Sequence, residues 1–399
     1  MKKLCFYFQV HQPMRIGAYS FFDIGSGKSY FDEEKNKAYL ERVVRKCYEP
    51  TNNLLLELIN KTDGLFRVNF SITGTLMEQL ERYSPKTIES FVELVESGCA
   101  ELFSETYYHS LSFLISEKEF KEQVKLHMRK VRSVFGVKPK IFRNTEAVYS
   151  NEIAKVVAKL GFRGVITEGS EKILGWRSPN YLYKAKGENL MLLLRNYRLS
   201  DDIAFRFSER SWTEYPLTAD KYAFWIAATH GECINIFMDY ETFGEHQWPE
   251  TGIFDFLRHL PWEIFKHRNC EFSLASDVIK ELQPKDELDV PHFLSWADID
   301  RDLSAWMENK IQRHAFNEVK TLESKVKKKK DPTLLHNWRL LQTSDHFYYM
   351  CTKWFADGDV HKYFNPYETP YDAYINYLNV INDLKMRLGL SAEQQARTH

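Results

Sequence analysis

The sequence predicts an α/β fold in which a parallel barrel is followed by a helical region. Short apolar runs of strand length alternate with amphipathic helical patterns from residue 1 to about residue 280. The rest of the chain holds long helical patterns with no strand candidate between them. Strands that alternate with helices form parallel sheets, and the seven or eight units found here favour a closed barrel. We expect a barrel domain over residues 1–285 and a helical domain over residues 286–399.

Eight segments are predicted as barrel strands because each is short and apolar and is followed by polar or turn-forming residues. They are, in chain order, Leu4–Val10, Phe66–Ile72, Cys99–Phe103, Lys140–Phe142, Gly164–Thr167, Met191–Leu194, Cys233–Met238 and Glu271–Leu274. Apolar residues at helical spacing predict helices between them, such as Lys86–Ser97, Glu117–Phe135 and Asn151–Leu160. The first of these helices is followed by Gly98, a residue type that commonly ends a helix.

The region after the barrel contains three long helical patterns, Asp298–Leu322, Pro332–Phe355 and Tyr371–Leu388. Between the first two lies the basic run Lys325–Lys330. We interpret this run as a solvated, flexible loop between helices, because charge runs of this kind are usually exposed. Trp306, within the first pattern, is expected to lie in the core.

The charge balance gives no electrostatic reason to expect a nucleic acid or a membrane as partner, since 54 basic residues are matched by 55 acidic ones. No tract approaches the roughly 20 apolar residues that cross a bilayer. The six cysteines are scattered singly, which is typical of reduced thiols. The apolar run from Leu4 contains Gln9 and ends at His11, so it is too short and polar for a signal peptide. We therefore expect a cytoplasmic protein.

Polar side chains directly after the predicted strands are the candidates for chemistry, because functional residues of α/β barrels gather at the carboxyl ends of the strands. These positions are rich in carboxylates and histidines, and the sequence has neither a nucleophile elbow nor a phosphate-binding loop. They comprise His11-Gln12-Pro13, Thr73-Gly74, Glu101 through His109, Arg143 through Glu146, Glu168, Asp239 with Glu241, and Asp277. Carboxylates at the ends of different strands suit glycoside hydrolysis, which needs one carboxylate to attack the sugar and one acid to protonate the leaving oxygen.

Two segments carry the strongest candidates. Glu146 follows Arg143, whose cation would keep a nearby carboxylate ionised, as a nucleophile requires. Alternatively, these two residues form an ion pair that caps the next helix. Asp239 and Glu241 lie two residues apart at the end of an apolar strand, so both can point to one side and either could be the acid. A metal site of Asp239, Glu241 and His246 is a further interpretation.

Five segments resemble, in order, the motifs of glycoside hydrolase family 57, the α-amylase and 4-α-glucanotransferase group. They are His11-Gln12-Pro13; Gly98-Cys99-Ala100-Glu101 with His109; Arg143 through Tyr149; Asp239 through Gly244; and Gln342-Thr343-Ser344-Asp345-His346. The resemblance spans nearly the whole chain and implies an irregular (β/α)7 barrel with an appended helical region. The segments Trp248–Gly252 and Ser295-Trp296-Ala297-Asp298 are most similar to the α-amylase-type branch of this family.

The resemblance implies that Glu146 is the nucleophile and that Asp239, rather than Glu241, is the general acid/base. It also implies a retaining mechanism without a metal or an organic cofactor, acting on an α-1,4-glucan or a maltooligosaccharide. Because Trp296 and Asp345 come from the helical region, we expect that region to contribute to the active-site cleft. The residues expected to bind substrate are His11, Gln12, Glu101, His109, Arg143, Glu241, Trp296, Asp345 and His346.

Several functional alternatives remain open from the sequence. A 4-α-glucanotransferase or a branching enzyme would pass the glucosyl unit to a sugar hydroxyl instead of water. A metal-dependent polysaccharide deacetylase is a weaker alternative, because the barrel half has no His-x₃-His pair. A carbohydrate-binding protein without turnover is also conceivable, although the presence of both Glu146 and Asp239 argues against it.

Overall fold

The computed structural model describes residues 1–353 and 365–390. Its strands are β1 (Lys2–Val10), β2 (Val68–Ile72), β3 (Ala100–Leu102), β4 (Ile141–Arg143), β5 (Gly164–Glu168), β6 (Tyr183–Ala185), β7 (Met191–Arg195), β8 (Cys233–Asp239), β9 (Cys270–Phe272) and β10 (Glu287–Leu288). The helices of the first region are α1 (Glu33–Val43), α2 (Glu49–Lys61), α3 (Gly74–Tyr83), α4 (Pro85–Glu96), α5 (Ser112–Ile115), α6 (Glu117–Phe135), α7 (Asn151–Lys159), α8 (Glu171–Leu174), α9 (Tyr197–Ala204), α10 (Ala219–Ala228), α11 (Ile253–Lys266) and α12 (Ala275–Glu281). Those of the second region are α13 (Ser304–Met307), α14 (Lys310–Thr321), α15 (Glu323–Lys329), α16 (Pro332–Leu340), α17 (Ser344–Tyr348) and α18 (Pro370–Arg387).

Seven parallel strands close into a ring in the order β1, β2, β3, β4, β5, β7, β8 and back to β1. The ring is irregular at two joints, because β3 meets β4 through a bridge from Ser104 to Phe142, and β7 meets β8 only at Arg195 and Asn235. β9 pairs with the first residues of β1, and β6 runs antiparallel beside β7. The predicted irregular (β/α)7 barrel followed by helices is confirmed.

All eight predicted strands are present, with ends that differ from the prediction by no more than two residues. The prediction missed β6 and β10, which have three and two residues and are too short to show a periodic pattern. β10 begins at Glu287 and pairs with β6, so the sheet continues beyond residue 285, where we expected the barrel domain to end. The first helix of the second region begins only at Ser304.

The first strand is buried on both faces, which explains its unbroken apolar run. Phe6 and Phe8 pack outward in the cluster that includes the surrounding helices, whereas Cys5 and Tyr7 belong to the cluster inside the barrel. Side chains alternate along a strand, so the next inward position is Gln9. This polar residue is buried at the carboxyl end of β1 and lines the cavity described below.

The predicted loop over Lys325–Lys330 is wrong, because most of this run belongs to α15. Val326 is buried against the helical core, and Lys327 forms ion pairs with Glu119 at 2.7 Å and with Glu323, one turn earlier, at 2.8 Å. An apolar contact and an i,i+4 ion pair therefore hold this basic segment in a helix. The predicted helix Pro332–Phe355 is divided into α16 and α17, and its last two residues lie outside the described residues.

A buried ion-pair network joins the two regions and should contribute strongly to stability. Glu119 of α6 is fully buried and lies 2.7 Å from both Arg339 Nε and Lys327 Nζ. We expect Glu119→Ala to lower the free energy of unfolding by about 3 kcal/mol, because the buried Arg339 and the partly buried Lys327 lose the buried carboxylate that they share and keep only the more exposed Glu122 and Glu323 as partners. Urea denaturation followed by circular dichroism measures this change. Lys61→Ala, which removes an exposed i,i+4 pair, should stay within about 0.5 kcal/mol, and a similar loss in both variants would contradict the prediction.

Among the helices that the structure describes, none has both the length and the apolar composition that crossing a bilayer requires. All six cysteines are free thiols. The cytoplasmic location stays a prediction.

Candidate active site

A cavity of about 180 Å³ opens at the carboxyl ends of the barrel strands and is lined by residues from both regions. The barrel contributes Gln9, His11, Gln12, His109, Glu146, Arg195, Asp239 and Glu241, among others. The second region contributes Trp296, Asp298, Arg301, Trp306, Asp345, Tyr348 and Tyr349. We call this space the cleft.

Glu146 lies in the turn that follows β4, and its backbone has the left-handed conformation with φ 56°. This conformation costs about 1–3 kcal/mol in a non-glycine residue and persists where the surroundings enforce it. Three donors face its carboxylate: Ser344 Oγ lies 2.9 Å from Oε1, Trp296 Nε1 lies 3.0 Å from Oε2, and His109 Nε2 lies 3.4 Å from Oε1. The carboxylate is therefore held by the barrel and by the second region at once.

The carboxylate of Glu146 is strongly stabilised in its ionised form. Burial by itself would raise its pKa, but the hydrogen bond from His109 and the positive charges of His109 and Arg143 outweigh burial and lower the pKa to about 2. Burial would also lower the pKa of His109, yet hydrogen bonds to Glu105 and Glu146 raise it to about 9. At neutral pH the site therefore contains an ionised Glu146 beside a protonated His109.

Glu105 anchors His109 from the side opposite Glu146. It is fully buried and accepts hydrogen bonds from His109 Nδ1 at 2.8 Å and Gln9 Nε2 at 2.9 Å. Although burial opposes ionisation, the contact with His109 lowers the pKa of Glu105 to about 2. One protonated imidazole thus bridges two carboxylates, and its orientation is fixed by both.

The ring of His11 stacks on that of His109, with the centroids 4.1 Å apart. His11 Nε2 lies 3.1 Å from Asp345 Oδ2, and its Nδ1 lies 3.0 Å from Thr73 Oγ1. Burial and the charge of His109 lower the pKa of His11. The protonated ring of His109 therefore stacks on the ring of His11, which loses its proton more readily. Despite its burial, Asp345 is held ionised because His11 lowers its pKa well below the usual range.

Asp239 is the last residue of β8, and it is one of two carboxyls in the cleft whose pKa is raised. Burial raises its pKa to about 6, and the negative charge of Glu146 acts in the same direction, while Arg143 and His109 oppose the shift. Because Glu146 is ionised and Asp239 has a raised pKa, the two carboxyls are suited to opposite roles in acid–base chemistry.

Glu241, two residues after Asp239, also lines the cleft. Its Oε1 accepts hydrogen bonds from Tyr48 Oη and from Gln12 Nε2. Burial and the charge of Asp239 nevertheless raise its pKa to about 8. The turn ends at Gly244, with φ +100°, where a Cβ atom would lie only 2.0 Å from the carbonyl oxygen of Lys46. Only glycine permits this close approach, which fixes the turn that carries both acids.

The sequence profile of Glycosyl hydrolase family 57 matches residues 5–291. The chain belongs to glycosyl hydrolase family 57. A protein of Methanocaldococcus jannaschii named "Putative alpha-amylase" is 48% identical over 398 residues, which cover 96% of this chain and 84% of that protein. An alpha-amylase of Pyrococcus horikoshii is 25% identical over 312 residues, which cover 75% of this chain and 45% of that protein.

Solved structures of low sequence identity share the fold of this family 57 chain. A branching enzyme of Thermococcus kodakaraensis superimposes with a TM-score of 0.69 at 15% identity, covering 100% of this chain and 94% of that one. A 4-alpha-glucanotransferase of Thermococcus litoralis gives a TM-score of 0.66 at 16% identity, covering 87% of this chain and 56% of that one.

Most of the residues predicted from the family 57 motifs meet in the cleft, and their roles stay predictions. They are His11, Gln12, His109, Glu146, Asp239, Glu241, Trp296 and Asp345. Trp306, which we expected in the core, is buried but also lines the cleft.

Glu101 lies away from the cleft, contrary to the predicted family 57 site. It lies within β3, and its carboxylate accepts a hydrogen bond from the backbone nitrogen of Ser276 in α12 at 2.8 Å. The second motif ends inside the strand, so this side chain does not reach the carboxyl end, where the cleft opens. Glu105, four residues later, contacts His109 instead. Sequence reasoning included Glu105 only as one of several polar residues after the strand.

His346 and Arg143 also lie outside the lining of the cleft. His346 is buried between the rings of Tyr349 and Tyr377, and burial lowers its pKa to about 4. It neighbours Asp345 on α17, and one residue rotates the side chain by about 100° around a helix, away from the cleft. Arg143 is fully buried behind Trp296, so the expectation that these two residues contact substrate is corrected.

The metal-site interpretation of Asp239, Glu241 and His246 has no support in the geometry. Within residues 1–353 and 365–390, no group of three or more His, Cys, Asp or Glu side chains is arranged to hold a metal ion. Ser344, Arg195 and Arg301 were not among the predicted site residues. The only signal for Ser344 was its place beside Asp345 in the fifth motif.

Proposed function

We propose that this family 57 enzyme is a retaining hydrolase of α-1,4-glucans, with Glu146 as nucleophile and Asp239 as general acid/base. The observation that carries the proposal is the division of roles between two carboxyls of one cleft, since the pKa of Glu146 is lowered to about 2 and that of Asp239 is raised to about 6. The name of the Methanocaldococcus jannaschii relative supports an α-glucan as substrate.

The reaction follows from these protonation states. Glu146 attacks the anomeric carbon while Asp239 gives its proton to the glycosidic oxygen, so the bond to the departing sugar breaks and a covalent glycosyl-enzyme forms. Asp239, now ionised, removes a proton from water, and the water oxygen displaces Glu146 from the anomeric carbon. Two inversions at this carbon retain its configuration.

The other polar groups of the cleft are suited to bind sugar hydroxyls. His11 and Asp345 offer a donor–acceptor pair 3.1 Å apart at the wall of the cleft. Gln12 links Glu241 to Arg15, because its Nε2 donates to Glu241 and its Oε1 accepts from Arg15 Nη2 at 3.0 Å. We assign these groups to the glucosyl unit that becomes attached to Glu146.

Product analysis with maltoheptaose tests the proposal. A hydrolase releases shorter maltooligosaccharides whose total reducing ends increase with time, and the first product has the α configuration by NMR. Products longer than maltoheptaose without new reducing ends would identify a 4-α-glucanotransferase, and new α-1,6 linkages would identify a branching enzyme. Absence of any glucan product, or a β-configured first product, would contradict the proposal.

The pH dependence should follow the proton on Asp239. Glu146 stays ionised in weakly acid solution, whereas Asp239 loses the proton needed for the first step above about pH 6. We expect kcat/KM for maltoheptaose to fall about tenfold per pH unit above this value, because kcat/KM reports the free enzyme. An α-maltosyl fluoride, whose leaving group needs no proton, is the control and should lack this decline. A constant kcat/KM for maltoheptaose between pH 6 and 8 would assign the role of general acid to another group.

A further inference from the structure

Arg143 is a buried cation with an unusual environment. Its side chain is fully buried, and its Nη1 and Nη2 atoms have no hydrogen-bond partner among the described residues. Buried charges are normally paired or hydrogen-bonded, because desolvation is costly. The group that covers the guanidinium is the ring of Trp296, whose centroid lies 4.6 Å from Arg143 Cζ. The positive charge of Arg143 therefore acts on the nearby carboxylates of Glu146 and Glu105 through the electric field, without a hydrogen bond from Nη1 or Nη2.

Arg195 approaches the same ring but is neutralised. Its Cζ lies 5.7 Å from the centroid of the Trp296 ring, and its guanidinium pairs with Glu168 at 3.1 Å and with Asp201. Arg195 acts on Asp239 but is not among the charges that act on Glu146, whereas the charge of Arg143 acts on both reacting carboxyls. It lowers the pKa values of Glu146 and of Asp239 alike.

Trp296 connects this cation to the nucleophile. Its indole N–H donates to Glu146 Oε2 at 3.0 Å, and its backbone N–H donates to the carbonyl oxygen of Glu146 at 3.3 Å. A cation over the face of an indole withdraws electron density from the ring, so its N–H becomes a stronger donor. The two contacts also hold the left-handed backbone of Glu146 in place.

We propose that Arg143 and Trp296 are a pair of positioning residues that sets the rate at which Glu146 leaves the glycosyl-enzyme. The inference rests on the proposed retaining mechanism. In the second step the water oxygen bonds to the anomeric carbon, and the bond from that carbon to Glu146 breaks. The electron pair of the broken bond returns to the Glu146 carboxylate, and the proton of water passes to Asp239. The field of Arg143 and the N–H of Trp296 stabilise the negative charge as it returns to Glu146.

Hydrolysis of α-maltosyl fluoride isolates this step, because fluoride leaves without protonation and the second step then limits turnover. Trp296→Phe keeps a ring under Arg143 but removes the N–H, and Arg143→Met removes the charge. We expect kcat to fall about 10–100-fold in each variant, the effect of one hydrogen bond to a charged group. KM should fall at least as much as kcat, so that kcat/KM does not fall, because loss of contacts that stabilise the carboxylate does not weaken its attack in the first step.

Accumulation of the intermediate supplies a second readout. Rapid mixing should give a burst of about one fluoride per enzyme molecule in the wild type and in both variants, because the second step limits turnover in each. The rate after the burst should be slower in Trp296→Phe and Arg143→Met, and intact-mass measurement should detect a maltosyl adduct that lasts longer than in the wild type. Arg143→Lys, which keeps the charge, should restore most of the rate after the burst. Trp262→Phe is the matched control, since Trp262 is partly exposed on α11 and does not line the cleft, and it should behave like the wild type.

The outcomes separate the inference from the proposed function. A wild-type enzyme that releases no fluoride would contradict the proposed function itself. An active wild-type enzyme whose variants lose kcat/KM, without a burst or an adduct, would show that Trp296 and Arg143 are needed only for the shape of the cleft. If thermal melting shows that Trp296→Phe does not fold, the comparison of Arg143→Met with Arg143→Lys decides, and equal behaviour of these two variants would overturn the inference.

Discussion

Glu146→Gln is expected to reduce kcat/KM on maltoheptaose by about 10⁴-fold or more. The substitution keeps the size of the side chain, its amide oxygen can accept from Trp296 Nε1 and its amide nitrogen can donate to Ser344 Oγ, so the fold of the turn after β4 should survive. It removes the negative charge that attacks the anomeric carbon, and no other carboxylate of residues 1–353 and 365–390 accepts from Trp296 Nε1 or Ser344 Oγ. Steady-state release of reducing ends measures the loss.

Azide rescue tests whether Glu146 acts as the nucleophile, which the loss of activity alone does not show. In Glu146→Ala, azide can occupy the space of the missing carboxylate and displace the leaving group once, giving a β-glycosyl azide. Glu101→Gln is the matched control, because this carboxylate is half-buried within β3 and lies outside the cleft. It should retain wild-type turnover within about threefold. Activity of Glu146→Gln above a tenth of the wild-type value would assign the nucleophile elsewhere.

Asp239→Asn should reduce turnover of maltoheptaose by about 10²–10⁴-fold, the contribution of a positioned proton donor. The loss should be much smaller for release of fluoride from α-maltosyl fluoride, because fluoride needs no proton. Since the variant also lacks the base of the second step, the glycosyl-enzyme should accumulate and be detected by intact-mass measurement. Azide added to Asp239→Ala should give an α-glycosyl azide, because Glu146 inverts the carbon first.

Glu241→Gln is the comparison that separates the two acids of the turn after β8. Glu241 shares the cleft and its pKa is raised to about 8, but it is bound by Gln12 and Tyr48. We expect Glu241→Gln to reduce turnover of maltoheptaose and release of fluoride from α-maltosyl fluoride by the same factor, as the loss of a residue that binds sugar does. A selective loss on maltoheptaose in Glu241→Gln, with none in Asp239→Asn, would reverse the assignment.

The strands could be predicted because their burial on both faces forces continuous apolar runs, as in β1. Elements that depend on contacts between residues remote in sequence could not be predicted. The basic run Lys325–Lys330 forms most of a helix because Lys327 meets Glu119, which lies more than two hundred residues away. No local pattern records such a pairing.

In the active site, too, local patterns could be predicted and remote contacts could not. Glu146 and Asp239 were candidates because they follow predicted strands, whose ends the barrel topology brings together. The donors that hold the Glu146 carboxylate were harder to predict, since Ser344 contributes a single hydroxyl from a separation of 198 residues. The choice between Glu101 and Glu105 also depended on where β3 ends, and sequence patterns locate strand ends only to within a few residues.

The hydrogen bond from Ser344 to Glu146 makes the nucleophile sensitive to changes elsewhere in the chain. Ser344 is the first residue of α17, so the bond ties the orientation of the Glu146 carboxylate to the packing of this helix against the barrel. A substitution that shifts α17, even one far from any bound sugar, would therefore change the contacts of Glu146 and with them the rate of turnover.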